Sequence, residues 1–305
     1  MRDIISKFLT DKATTNENVY VFSGDHGYAL FDELRKKAPN QFINAGVSEQ
    51  AMVGYAAGMA KEGMIPFVYG LSAFIPVRVL EFIKMDVCYE SLPVIFLGDG
   101  AGLVYATLGP SHQCAEDIAC VRTLPHITVF SPADSFEMSA CLEYAYHLKS
   151  PSYIRIGKAD KTTVHSKPID SLDLDVIPVK KTDSETCIIA TGSMLDVGLK
   201  LSEKYNLSLF SAPIIHPLDR VKVMSRIGNY KKVISLEEHS VAGGLGSVLA
   251  EFIAESETDH QMKLIRFGIK NRFTEKCGSY DYAVKEHGLD YATIEGTLKK
   301  EKILG

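Results

Sequence analysis

The sequence predicts an α/β protein: a parallel sheet flanked by helices, followed by a second, smaller α/β domain. Two observations carry this. Short apolar runs alternate with helix-like segments along almost all of the 305 residues, the pattern of parallel strand–helix units. The alternation lapses once, at residues 158–177, where Lys158, Asp160, Lys161, Lys167, Pro168, Asp170, Asp173 and Asp175 stand with few apolar anchors. That stretch reads as a linker between a first domain of residues 1–157 and a second of residues 178–305.

Taken in order, Met1-Arg2-Asp3-Ile4-Ile5-Ser6-Lys7-Phe8 opens an amphipathic helix, and the run near Tyr20–Ser23 predicts the first strand. Gln41-Phe42-Ile43 predicts a short second strand. Ile65–Gly70, Val94–Gly98, Thr128–Phe130 and Tyr153–Ile156 predict the rest of the first sheet. In the second domain, strands are predicted near Cys187–Ala190, Leu207–Ala212, Val233–Leu236 and Leu264–Phe267. Helices are predicted near Met194–Lys204, Val221–Ile227, Gly246–Glu255 and Asp290–Lys300.

The most informative segment is Asn44-Ala45-Gly46-Val47-Ser48-Glu49-Gln50, where the second strand gives way to a helix. Ser48 occupies the position of an N-cap that would accept the first free amides, which puts Glu49 in the first turn. Ala51, Met52, Tyr55, Ala56, Met59 and Ala60 then recur at helical spacing until Gly63. Taken alone, a glutamate at a helix start is a dipole-complementing acid. The surrounding loops argue for catalysis instead.

Composition removes several function classes. A hydrophobic fraction of 46% with a net charge of −5 describes a soluble globular chain, without the basic excess that tracks a nucleic-acid backbone. No apolar stretch approaches a membrane span and the first residues do not form a signal peptide, so the chain is expected in the cytoplasm, with no membrane or nucleic-acid partner. Cys88, Cys114, Cys120, Cys141, Cys187 and Cys277 are scattered without a C-x-x-C pair, so reduced, mostly buried thiols are expected, with neither zinc nor disulfides.

Four further constellations follow strands, where open parallel sheets place ligands. Ser23-Gly24-Asp25-His26-Gly27 offers close backbone approach together with two polar side chains, although an Asx-turn with a surface histidine has the same residues. Tyr69-Gly70-Leu71-Ser72-Ala73-Phe74 leads into a helix carrying Arg78, so Phe74 would offer a flat face to a ring, or else pack as core. Gly98-Asp99-Gly100-Ala101-Gly102 precedes Leu108-Gly109-Pro110-Ser111-His112-Gln113, and His112 is poised for proton transfer or hydrogen bonding. The Gly-Asp-Gly triplet imitates a diphosphate and magnesium motif, but no asparagine occurs between Gly100 and Asn206, so no metal site is expected on this chain. Arg155 ends the last strand of the first domain, a cation suited to carboxylate or phosphate.

The order of these motifs resembles the C-terminal half of a transketolase, the second subunit of the split, two-chain form. The first domain carries the resemblance in Asn44–Gln50, Gly58-Met59-Ala60-Lys61-Glu62-Gly63-Met64-Ile65-Pro66-Phe67, Gly109-Pro110-Ser111-His112-Gln113, Glu116-Asp117-Ile118-Ala119, Leu124-Pro125-His126 and Ser131-Pro132-Ala133-Asp134. Ala190-Thr191-Gly192-Ser193, His216-Pro217-Leu218-Asp219, Glu237-Glu238-His239 and Gly243-Gly244-Leu245-Gly246 continue it in the second.

The resemblance implies a thiamine-diphosphate pyrimidine-binding domain followed by a transketolase C-terminal domain. It gives Glu49 the role of the acid on the aminopyrimidine N1′ that assists loss of the thiazolium C2 proton. Phe74 then resembles the aromatic packed on the pyrimidine, with Asp25 and His26 beside the cofactor. His112, Gln113 and Arg155 resemble substrate-binding residues, His112 also catalytic. The domain that binds diphosphate and a divalent metal is absent from these residues. The resemblance therefore implies an N-terminal partner subunit that supplies it and holds Mg²⁺, in an α₂β₂ assembly, and an apolar patch where the two meet.

Two departures bear on the substrate. Where transketolases carry Gly-Glu-Asp-Gly-Pro-Thr-His, this chain has Ala106-Thr107-Leu108-Gly109-Pro110-Ser111-His112, so an acid that reads a substrate hydroxyl is replaced by Leu108. Gly98 stands where the sugar enzymes use a histidine. A leucine accepts no hydrogen bond, so an unusual donor or acceptor is expected, such as a modified or nucleotide-linked sugar. Rival readings are a 1-deoxyxylulose-phosphate synthase-like fragment, a 2-oxoacid dehydrogenase β-type subunit, and a non-catalytic scaffold paralogue.

Overall fold

The computed structural model describes residues 1–27, 29–158, 163–257 and 260–304, so Asp160 and Lys161 of the expected linker lie outside the described residues. The chain forms two sheets. The first uses β1 (Val19–Ser23), β2 (Phe42–Asn44), β3 (Ile65–Leu71), β4 (Ile95–Asp99), β5 (Thr128–Phe130) and β6 (Ser152–Ile156). The second uses β7 (Ile177–Lys180), β8 (Thr186–Ala190), β9 (Ser208–Ser211), β11 (Lys232–Ser240) and β12 (Lys263–Ile269). β10 (Ile214–His216), which follows β9 in the chain, leaves the second sheet and pairs antiparallel with β5.

The first sheet runs β10-β5-β6-β4-β3-β1-β2, and every pair but the β10 edge is parallel. Its central strands are apolar on both faces, as a sheet covered by helices on each side requires: β4 (Ile95–Asp99) is buried throughout, and β3 is buried from Pro66 onward. One face packs Phe22, Val68, Phe96 and Tyr153 against the helix Glu49–Lys61; the other packs Phe67, Ile95, Leu97 and Ile154 against the helices Arg2–Thr15 and Ser135–His147. The second sheet runs β12-β11-β8-β9-β7, antiparallel only at β7.

The second domain turns the carboxyl edge of its sheet toward the first. The Gly192 amide, just after β8, donates to the Ser131 carbonyl at 3.1 Å, and the Ser240 amide at the end of β11 donates to the Ala115 carbonyl at 2.7 Å. Charge reinforces the joint: Arg155 Nε donates to Asp117 Oδ2 at 2.8 Å, and its Nη2 reaches the Glu238 carbonyl at 2.6 Å. His239 is neutral there, because the Ala119 amide donates to its Nε2 while its Nδ1 faces the Ser240 carbonyl. Burial first, with a small push from Arg155, holds its pKa down to about 4, so the 3.9 Å approach to Asp117 is not an ion pair. Cys88, Cys114, Cys141 and Cys187 are buried free thiols, and Cys277 is exposed. Among the described residues, no helix is long and apolar enough to cross a membrane.

Candidate active site

The loops at the carboxyl ends of β1, β3 and β4 converge on one aromatic ring, Phe74. A tight turn made as the Phe74 and Ile75 amides return to the Leu71 carbonyl at 2.8 and 2.7 Å lifts this side chain off β3. It is half-buried. The His112 ring meets it edge-on at 5.5 Å between centroids, and the His26 ring lies 6.4 Å away. The Arg78 guanidinium carbon stands 3.9 Å from the ring centroid, within cation–π range.

Glu49 begins its helix as the sequence indicates, and the helix buries it to 3% exposure. Arg78 Nη1 reaches its Oε2 at 3.4 Å, a long and weak contact, while Oε1 is buried with no hydrogen-bond partner. Almost every buried polar atom in a folded protein is paired, so an orphaned carboxylate oxygen beside a half-buried aromatic face marks a place built to meet a polar group. The helix start itself differs from expectation in one respect. Ser48 holds the N-cap position, but its hydroxyl donates to the Ala45 carbonyl and caps no helix amide. Ser48 stands at φ −143° and ψ 57°, outside the extended conformation from which an N-cap side chain reaches the first-turn amides.

The other predicted residues divide. Asp25 is exposed, in a left-handed conformation at φ 61°, and its carboxylate accepts from Asn44 Nδ2 at 3.3 Å at the rim beside Glu49. His26 lies in the same turn and also lines a cavity of about 320 Å³ with Arg2, Tyr69, Asp99 and Tyr105. In that cavity Asp99 is a structural hub, accepting from Arg2, from Tyr69 at 2.9 Å and from Tyr105 at 3.1 Å. Burial, followed by the Asp99 charge, pushes the Tyr105 hydroxyl up to about 12, so it remains a donor.

Arg155 is a correction. The sequence suggested a cation open to substrate, but the residue is 3% exposed and its guanidinium is committed to Asp117 and the Glu238 carbonyl. Burial works against its charge, and the Asp117 carboxylate outweighs it, so the pKa stays above the ordinary arginine value. Gln113 is a second correction: although next to His112, its side chain turns to the second domain, where Thr274 donates to its Oε1 at 2.6 Å. Sequence reasoning gave Arg78 no role, although its position four residues after Phe74 was a usable signal.

The two altered positions also find their setting. Leu108 is 52% exposed at the end of a one-turn helix, presenting an apolar surface on the loop that leads to His112. At Gly98 a β-carbon would lie 2.6 Å from the Tyr153 ring and 2.9 Å from the Ile75 carbonyl, so this site has no room for a histidine.

Comparison with known proteins gives a consistent result. The family model for the transketolase pyrimidine-binding domain matches residues 1–162, and that for the transketolase C-terminal domain matches residues 176–294. The chain is 31% identical over 296 residues to one of the subunits of apulose-4-phosphate transketolase of Actinobacillus succinogenes, covering 95% of this chain and 94% of that protein. It is 30% identical over 268 residues to 1-deoxy-D-xylulose-5-phosphate synthase of an Enterobacter species, covering 88% of this chain but 42% of that longer protein. Among solved structures, a split-gene transketolase described as an inactive β4 tetramer superposes with a TM-score of 0.87 at 28% identity, over 99% of this chain and 98% of the other. With both family models laid end to end along it, and a relative matched over nearly its whole length, the chain belongs to the transketolase family.

Proposed function

We propose that this chain is the C-terminal subunit of a split, thiamine-diphosphate-dependent transketolase that moves a two-carbon ketol unit from a ketose to an aldose. The observation that carries the reading is Glu49, a buried acid at a helix start with one unpartnered oxygen beside the Phe74 face. That donor set fits an aminopyrimidine: the ring has a flat face for Phe74 and a ring nitrogen for a carboxyl group. When bound, the cofactor supplies the carbon that carries the two-carbon unit.

This chain's residues then hold and orient. Glu49 would hydrogen-bond the pyrimidine nitrogen, Phe74 would pack on the ring, and His26 and Asp25 would border it. His112, hydrogen-bonded through Nδ1 to the Ser111 hydroxyl at 2.9 Å, presents its other nitrogen to the oxygens of the substrate. Arg155 and Gln113 have no place in this site, because both are committed to the domain joint. Arg78, partly exposed and bound to Glu49 by one long contact, takes the place of the open cation. Leu108 removes a hydroxyl-reading acid, so the substrate differs at that position from the usual sugars, as a modified or nucleotide-linked sugar would. The relative named for apulose-4-phosphate supports a sugar phosphate.

A partner subunit supplies the diphosphate and Mg²⁺ domain, in an α₂β₂ heterotetramer. Support comes from the exposed apolar side chains Val47, Tyr55, Met85 and Tyr89, which stand on or beside the helices that follow β2 and β3. The solved relative described as an inactive β4 tetramer of a split-gene transketolase points the same way. The test is to measure thiamine diphosphate and magnesium binding by this chain, by its partner and by the mixture. Binding by the mixture alone is expected; binding by this chain alone overturns the half-site, and no binding by the mixture overturns the cofactor. The synthase relatives favour one second reading, a 1-deoxyxylulose-phosphate synthase-like subunit, which would release carbon dioxide from pyruvate where a transketolase does not.

A further inference from the structure

A second cleft lies where the carboxyl ends of β11 and β12 meet the loop after His112. Parallel sheets bind ligands at such edges. The cleft has a volume of about 400 Å³, with Leu103, Pro110 and Ala115 of the first domain and Ile269 and Phe273 of the second among its apolar walls. That size falls in the range of small-ligand pockets, roughly 300–1,000 Å³.

Its floor holds three polar side chains with an unusual balance. Thr274 Oγ1 lies 2.6 Å from Gln113 Oε1 and 3.0 Å from His287 Nε2. Gln113 is 8% exposed and His287 6%, yet Gln113 Nε2 and His287 Nδ1 are buried with no partner. A hydroxyl has one proton to give. If Thr274 donates to Gln113, it accepts the His287 Nε2 proton, which leaves Nδ1 as a bare acceptor and the Gln113 amide as a donor. If the hydroxyl turns the other way the amide flips, leaving Gln113 Oε1 as the acceptor and His287 Nδ1–H as the donor. In both arrangements one unmatched donor and one unmatched acceptor flank the same hydroxyl. The His287 ring is neutral in either, since burial and then the nearby Arg272 hold its pKa below the ordinary value.

We propose that this cleft binds a small, uncharged planar molecule whose edge carries a hydrogen-bond acceptor next to a donor, as a primary carboxamide or a lactam ring does. The apolar walls take the ring, and the edge pairs with Gln113 and His287. Both nitrogens are sealed from solvent, so the ligand reaches them only as the walls, one from each domain, part. The rim does not select an ion: Lys270 and Glu116 both line it, and Arg272 is held by Glu286 at 2.9 Å.

Benzamide is a suitable probe. Titrated into the full chain, it is expected to give saturable NMR shifts at the Thr274 methyl and the His287 ring. N,N-dimethylbenzamide keeps the acceptor but lacks the donor, and is expected to bind at least about tenfold more weakly, as a site built for a paired edge requires. Thr274→Val is expected to erase that preference at the His287 ring, and Thr274→Ser, which keeps the hydroxyl, to retain it. No saturable shift with benzamide, equal binding of the two compounds, or a preference that survives in Thr274→Val overturns the proposal. If the valine variant does not fold, the two probes on the native chain and the serine variant decide it.

Discussion

Arg78 reaches Glu49 Oε2 at 3.4 Å while its guanidinium carbon lies 3.9 Å from the centre of the Phe74 ring, so one cation ties a buried acid to the aromatic face beside it. The link is one-sided. It engages a single carboxylate oxygen, and the other is buried without a hydrogen-bond partner.

Glu49→Gln keeps the shape of the side chain and removes the acid. Co-purification with the partner is expected to be unchanged, while ketol transfer falls at least about a hundredfold, the usual contribution of a positioned proton-transfer group. Near-normal turnover by the variant would refute the assignment.

His112 touches Phe74 only at a ring edge and has the Ser111 hydroxyl on Nδ1, so its truncation leaves the acid and the aromatic face in place. His112→Ala is expected to lower kcat by about a hundredfold or more with less than a threefold change in the cofactor dissociation constant. Equal effects on both would assign the residue to cofactor binding.

At the domain joint, the partner-bearing atoms of Arg155 and Asp117 are sealed from solvent. Arg155→Met leaves the Asp117 carboxylate buried with the Tyr153 hydroxyl as its remaining close donor, at 2.7 Å. Urea unfolding is expected to show a loss of about 3–5 kcal/mol, and adding Asp117→Leu should recover part of it, because a buried ion pair costs more when broken than when replaced whole.

Asp134 ties the linker to the first domain. It caps the helix Ser135–His147 and also accepts from the Val164 and His165 amides and from His165 Nδ1. Burial alone would raise its pKa, but these bonds, led by His165, hold it down to about 2. Its contribution is therefore present above the unfolded value near 3.8 and is lost as pH falls toward 2. His165 shifts upward: burial opposes its charge, and Asp134 and Glu137 outweigh that. Its contribution is present below 6.5 and lost as pH rises through the higher folded value. The stability gap between native chain and Asp134→Asn should be widest between about pH 4 and 6.5 and narrow on either side, on the order of 2 kcal/mol at its maximum. A gap that does not change with pH, measured by denaturant titration, would contradict the pairing.

Tyr55 stands exposed on the helix that Glu49 begins, near glycines 54 and 58, which have open space around them. Tyr55→Glu places a charge in the proposed partner interface and is expected to weaken subunit association at least about tenfold without lowering the melting temperature of the isolated chain. Unchanged association by analytical ultracentrifugation would move the interface elsewhere.

The strands were legible wherever a run of apolar residues was long enough to be buried on both faces, as at Ile65–Leu71 and Ile95–Asp99. Glu49 was legible because its place at a helix start depends on neighbours in sequence. What could not be read depends on distant partners. Arg155 looked open because Asp117, the acid that takes its charge, lies 38 residues away. Gln113 looked like a site residue until Thr274, 161 residues on, drew it to the other domain. β10 is only three residues long, and its strand character comes from β5, a partner in the other domain.

That three-residue crossing limits how the protein can be divided. A fragment ending in the linker would contain every strand of the first sheet except β10, and would leave one side of Thr128-Val129-Phe130 without its neighbour. A bare apolar edge is a template for the same edge on another copy. The pyrimidine-binding half, expressed alone, should self-associate through β5, and a chain that retains residues 214–216 against it should remain dispersed.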